Sequence, residues 1–327
     1  SVIRIRTVKR QGDGLSGSLS SKAWYNGYLG ATEQINLNYQ RDKLNLFGTL
    51  LGYTRGHKEN TSLTQDIDGE KSIHTVQYAP FVYRNTMGEA ILGFNYDFNE
   101  DNSIGASYDV TCEPYAKGTT DGVQEVTIDG DTEDVIHQHI QYEDIGIPSH
   151  ELNAYYVGKV KKLGIDLNGT YLWQKSGMDM LHSERTMDEE SRDVNTSSRR
   201  HNQLLAGKLV LSYPVAKGQL EMGTEVSHTK SRGEYNNAEG IVAASSTNMK
   251  EDNVAGFLTF AYSLGNFSVD AGLRYEYVSA KYYSFGEYLE EPSKKYGNWF
   301  PSLTLGWNKN ARAVSLAYTC KTQRPSY

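Results

Sequence analysis

The sequence predicts an all-β chain, an antiparallel up-and-down transmembrane β-barrel with about thirteen strands present. Three observations carry that expectation. Segment after segment alternates apolar and polar residues with a period of two, the period of a strand with unlike faces. The connections between segments are alternately short and long. No run of about 18 apolar residues exists to form a membrane helix, and a barrel needs none, because only every second strand residue meets lipid.

The pattern is clearest over 254–277. Phe267, Val269, Ala271, Leu273, Tyr275 and Tyr277 share one parity, and Ser268, Asp270, Gly272, Arg274 and Glu276 share the other. Val254, Gly256, Leu258, Phe260 and Tyr262 precede them with the same period, and Ser263-Leu264-Gly265-Asn266 is rich in turn formers. Together they read as one amphipathic hairpin.

In chain order, residues 1–10 are β-rich and basic, and Gln11-Gly12-Asp13-Gly14 breaks them. A strand begins at Leu15, the chain turns over 26–32, and Ile35, Leu37 and Tyr39 lead to a tight turn at Arg41-Asp42. Residues 44–53 climb back. A polar stretch over 54–87 reads as a long loop, with 78–83 as a strand extension. Strands at 90–98 and 104–110 flank the turn at Asn99. An acidic loop is expected over 113–148, strands at 152–160 and 163–173 about Lys161-Lys162, and a charged loop over 175–199. Strands at 205–213 and 220–228 flank Pro214, and a polar loop over 230–248 returns the chain to the hairpin above. After 282–297 come strands at 299–307 and 314–318 about Asn308. Barrels of the bacterial outer membrane have short periplasmic turns and long outer loops, so the short turns are placed in the periplasm and the charged segments at the cell surface.

Aromatic residues fit that frame. Trp299 and Trp307 share a parity and lie eight residues apart, roughly 26 Å along a strand. With strand tilt this is on the order of 20 Å of height, near the ~25 Å apolar band and its two aromatic girdles. Trp173, Trp299 and Trp307 are the expected girdle residues, with Tyr39, Tyr96, Tyr171, Tyr213 and Tyr262 also near strand ends.

The 327 residues carry a formal net charge of -7, which argues against a nucleic-acid partner, since phosphate-tracking surfaces are basic. Cys112 and Cys320 do not make a disulfide framework. The chain begins at Ser1 and ends at Tyr327 in what reads as mid-strand, so it is expected to be an internal piece of a longer protein.

Chemistry-bearing motifs are sparse. His137-Gln138-His139 puts two imidazoles on one side of a strand; they are the weak candidates for a metal site, against a polar surface loop as the ordinary account. Residues 129–134 resemble a calcium loop in composition. They lack the sixth-position Gly, and Ile140 stands where a Glu is needed, so an EF-hand is excluded and a looser divalent site is the alternative left open. No phosphate loop, Cys-x-x-Cys or nucleophile elbow is present, no catalytic residue can be nominated, and no cofactor is expected. Asp270, Arg274 and Glu276 face the lumen, where lining a wet interior explains them and substrate contact is the sharper reading. Arg274 is expected to tolerate replacement unless it is paired.

Both ends of the chain resemble a known family. Val2-Ile3-Arg4-Ile5-Arg6-Thr7 followed by Gly12-Asp13-Gly14-Leu15-Ser16-Gly17 is similar to the plug-to-barrel junction of a TonB-dependent receptor. Arg324-Pro325-Ser326-Tyr327, preceded by Tyr318 and Lys321, resembles a barrel-strand motif of the Bacteroidota-type outer-membrane β-barrel proteins of that family, with Thr322 in place of an aliphatic residue. The resemblance implies residues 1–12 as the end of a plug domain and 13–327 as the N-terminal part of a barrel of about 22 strands. It implies a bacterial outer-membrane transporter, not an enzyme, that takes up a scarce nutrient: an iron chelate, cobalamin, a glycan or a peptide. The implied partners are outer-membrane lipid, the TonB complex through the plug region, a surface lipoprotein and the nutrient. The alternatives are a passive porin or adhesin-like barrel and, from another class, a soluble secreted all-β binding protein.

Overall fold

The computed structural model describes residues 12–188, 190–310 and 312–321. Residues 1–11 of the plug end expected over 1–12, and the motif at 324–327, lie outside the described residues. Within them the chain is one antiparallel sheet of fourteen strands with no helix. In order these are β1 (Gly14–Tyr25), β2 (Leu29–Arg41), β3 (Leu44–Asp68), β4 (Ser72–Asn99), β5 (Asn102–Ile128), β6 (Asp131–Asp144) and β7 (Ser149–Val160). Then follow β8 (Leu163–Arg185), β9 (Ser191–Val215), β10 (Gly218–Asn237), β11 (Ser245–Leu264), β12 (Phe267–Ser284), β13 (Glu287–Lys309) and β14 (Arg312–Thr319).

Neighbours in sequence are neighbours in the sheet, with one exception that explains the count. The lower half of β5 pairs with β7 and its upper half with β6, and β8 divides in the same way. β6 and β7 therefore share one wall position, stacked end to end and separated by Ile145-Gly146-Ile147-Pro148. Fourteen strands thus make thirteen wall positions, the number read from the sequence. The break has a local cause. On β5 the register against β4 shifts around Glu113-Pro114; Pro has no N–H to give a ladder and favours such a bulge. Gly146 tucks against it: a Cβ there would stand 2.6 Å from the Glu113 carbonyl oxygen and the Pro114 Cα.

At one end of the sheet the connections are two-residue turns, at 42–43, 100–101, 161–162, 216–217 and 265–266, and Lys309 pairs with Arg312 where β13 meets β14. At the other end the expectation of long loops is corrected. Residues 54–68, 113–128, 175–185 and 230–237 are strand, and their hairpins project well beyond the amphipathic segments. The reason is solvent. Where both faces of a ribbon are wet, nothing selects for alternation, so a polar strand reads like a loop while its ladder forms all the same.

The lower strands are inverted relative to a soluble protein. Leu15, Leu19, Leu37, Leu50, Leu92, Leu205, Leu258, Leu273, Trp299 and Leu316 are exposed, whereas Ala116, Ala255, Val278 and Ala280, on the opposite face, are buried. An apolar exposed surface of that extent marks a face meant for a non-aqueous neighbour.

Candidate functional site

On the polar face of the sheet a charged cluster is built from β9 to β13. Lys208, Glu225, Ala255 and Glu276 lie in one register row across four strands. Ala255 is the small member of that row, and Arg274 reaches across β11 beside it. The Arg274 guanidinium donates from Nη2 to Glu225 Oε2 and from Nε to Glu276 Oε1, both at 2.6 Å. Lys208 Nζ lies 2.8 Å from the other Glu225 oxygen. Both cations stand 5.8 Å from the centre of the Phe257 ring. That ring lies over Gly223, where a Cβ would meet it at 2.3 Å, so glycine is required for the ring to lie there.

Two cations and two carboxylates balance, and the charge-assisted bonds fix their orientation. They border a cavity of about 710 Å³ whose wall includes Thr259, Phe300 and Ser302. Beside it a smaller cavity of about 230 Å³ is lined by Asn168, Ser227 and Asn253. The buried Asn253 Oδ1 has no partner among the described residues, so it is an acceptor open to water or to a ligand donor.

The structure thus joins two of the three residues for which the sequence predicts a lumenal position. Arg274 and Glu276 meet; Asp270 shares their face four residues nearer the turn, exposed and outside the cluster. Lys208 and Glu225 were missed. Their parity marked them as polar-face residues, but which such residues meet depends on register across strands, which the alternation does not specify.

His137 and His139 share a face of β6, as expected, but His139 Nδ1 is taken by Asp121 at 2.6 Å across the ladder to β5. Among the described residues no three His, Cys, Asp or Glu side chains converge as a metal site. Asp129-Gly130 is a two-residue hairpin turn with both φ values positive, 52° and 92°.

Trp173, Trp299 and Trp307 all lie on the apolar face. Trp173 packs with His150 and His201 and lies under Lys175 Nζ. Trp299 packs on Tyr275 with centroids 4.8 Å apart, and Trp307 pairs in register with Phe267 and Val314.

A second cluster on the same face, not read from the sequence, sits in the extended part of the sheet. Phe81, Tyr83 and Tyr142 stack at 5.9–6.2 Å, with His57 against Phe81 and Tyr83. Tyr142 lies over Gly118, where an added Cβ would stand 2.2 Å from its ring. Beneath them the buried Asn85 accepts from Arg55 Nε at 3.0 Å and donates to Glu113. Burial, and then the charges of Glu113, Tyr142 and Asp144, push the Tyr83 phenol up to about 12. Burial and Glu113 raise the Asp144 carboxyl.

The chain belongs to the outer membrane protein β-barrel family, whose model matches residues 158–327. Its location is the bacterial outer membrane. No curated protein matches it. Among solved structures it is similar to the outer membrane protease OmpT of Escherichia coli, at 12% identity over 85% of this chain and 97% of that one, TM-score 0.29. It is similar to BauA, the ferric preacinetobactin receptor of Acinetobacter baumannii, at 7% identity over 93% and 67%, TM-score 0.27. The ferric citrate transporter FecA is similar at 10% identity over 90% of this chain and 56% of that one, TM-score 0.32. None of these transfers an activity. They do correct one expectation, that the chain is not an enzyme: OmpT is a protease and a barrel of the outer membrane, so this kind of fold gives no ground for excluding catalysis, because activity resides in sites grafted on a fold.

Proposed function

We propose that the chain forms part of the wall of an outer-membrane importer of the TonB-dependent receptor type, with its two-residue turns in the periplasm and its extended hairpins at the cell surface. In this reading residues 13–327 supply the first wall positions of a larger, plugged barrel. Its partners are the TonB complex through the plug, a surface lipoprotein and a scarce nutrient. The observation that carries the reading is the fixed lumenal cluster of Lys208, Glu225, Arg274 and Glu276 about a cavity of about 710 Å³. A wide passive channel needs only a wet wall, whereas oriented charges beside an unpartnered acceptor make a surface that recognises a ligand or a plug. The aromatic group of Phe81, Tyr83 and Tyr142 stands on the same face farther out, where an arriving solute would meet it first.

The test is uptake by cells carrying the full-length protein, with the inner-membrane energy supply intact or collapsed. Accumulation of an iron chelate, cobalamin, glycan or peptide should stop when TonB is deleted. Solute flux that continues unchanged without TonB makes the barrel a passive channel and overturns the proposal.

A further inference from the structure

The apolar face ends in a basic rim. Counted along the strands from the two-residue turns, Trp173, Tyr277 and Trp299 each stand eleven residues up. Two residues beyond that level, on the same face, are Lys175 and Lys230; four beyond it are Lys250, Lys281 and Lys295. The step from aromatic to basic is therefore only about 7–13 Å along a strand.

Register sharpens the observation. Lys230, Lys250 and Lys281 are direct partners across β10, β11 and β12. Like charges directly opposite one another destabilise a sheet, so a row of three calls for a counter-charge. None comes from the described residues: among them no ion pair is made by these three, or by Lys175 or Lys295. Nearby cations do find carboxylates, Arg232 with Glu234 and Arg199 with Asp179. Asp252, two residues from Lys250 on the same face, is held at 2.6 Å by His228. The lysines are not simply solvated strays either, since Lys250 lies 5.5 Å from the centre of the Tyr283 ring and Lys175 lies over Trp173. These contacts hold the ammonium groups at the wall.

We propose that this rim binds the phosphate groups of an outer-leaflet glycolipid, with its acyl chains on the apolar wall below and its headgroup phosphates on Lys230, Lys250 and Lys281. The site rests on the orientation given above, with the extended hairpins at the cell surface. Charge complementarity selects a phosphorylated headgroup, and continuity with the exposed apolar wall selects a lipid over a free anion.

The test uses the full-length protein, purified in neutral detergent and titrated with a diphosphorylated glucosamine lipid, binding being read by native mass spectrometry. Each lysine beside an anionic headgroup is worth about five-fold in affinity. The triple substitution K230Q/K250Q/K281Q should therefore weaken binding about a hundred-fold, K250Q alone about five-fold, and the triple Lys→Arg variant little. Folding is checked by heat-dependent gel mobility, and K250Q serves should the triple variant fail to fold. The dephosphorylated lipid should bind wild type and triple variant alike. Unchanged affinity in K250Q and the triple variant overturns the site. Displacement of the lipid by millimolar inorganic phosphate overturns the lipid assignment. Loss of uptake without loss of lipid binding would bear on the importer reading alone.

Discussion

Leu273 in β12 and Leu63 in β3 are nearly equally exposed, at 46% and 52%. Leu273 stands seven residues above its turn, within the alternating wall; Leu63 stands twenty above its own, in the extended hairpin. The first belongs to a strand whose two faces meet different media, the second to a ribbon with water on both sides. Equal exposure therefore means unlike things in the two regions. In the wall the apolar face is held by lipid, and in the extension the strands are held by their ladder and by side-chain clusters such as the one around Asn85.

The largest expected effect tests this directly. Leu273→Arg puts a cation into hydrocarbon and should cost about 2–4 kcal/mol. Leu63→Arg, at the same exposure, should fall within about 0.5 kcal/mol of wild type. Denaturant titration of the full-length protein in lipid vesicles measures both. Equal costs at the two positions would erase the distinction between wall and extension.

The same distinction decides what could be read in the sequence. The wall was legible because a lipid-facing strand must alternate, as 254–277 does, and because two-residue turns carry recognisable chemistry. The extensions were not legible: at 230–237 or 175–185 no face is dry, so polar residues fill both parities and the segment resembles a loop. Of the lumenal cluster, parity identified the face of Arg274 and Glu276. Their partners Lys208 and Glu225 lie 66 and 49 residues before Arg274, and only the register rows bring them together. The stacked rings of Phe81 and Tyr142 depend on the bulge at Glu113-Pro114, which no periodicity announces.

Within the wall, Arg274 is paired, so the tolerance expected of an unpaired lumenal charge does not apply. Arg274→Leu removes two charge-assisted bonds, to Glu225 and Glu276, at a cost of about 1–3 kcal/mol. Glu225 keeps Lys208, so the loss should be smaller when Glu276→Gln accompanies it, and a double-mutant cycle in vesicles measures that coupling. In the extension the corresponding weak point is a turn. Gly130 has φ of 92°, and Gly130→Val should cost about 1–2 kcal/mol. Because the tip frays independently of the wall, the loss should show as faster amide exchange over 125–134 with no change in the exchange of β12.

The smallest effect concerns the aromatic cluster that holds the extension together. The Tyr83 phenol is raised to about 12, first by burial and then by Glu113, Tyr142 and Asp144, with Arg55 opposing. Below pH ~10 the phenol is neutral whether this region is folded or not, and its contribution is fully present. Between about 10 and 12 the unfolded chain gives up the proton and the folded one does not, so stability falls as pH rises. An ultraviolet difference titration of wild type against Tyr83→Phe isolates this phenol among the 24 tyrosines and should show it ionising late. Glu113→Gln should lower its midpoint more than Asp144→Asn, following the order of the two charges, and neither should return it to the ordinary value, because burial is the larger cause. A phenol titrating near 10 in wild type would mean that Tyr83 is not packed under Tyr142. The extension would then be held by its ladder alone, and the contrast with the wall would be greater still.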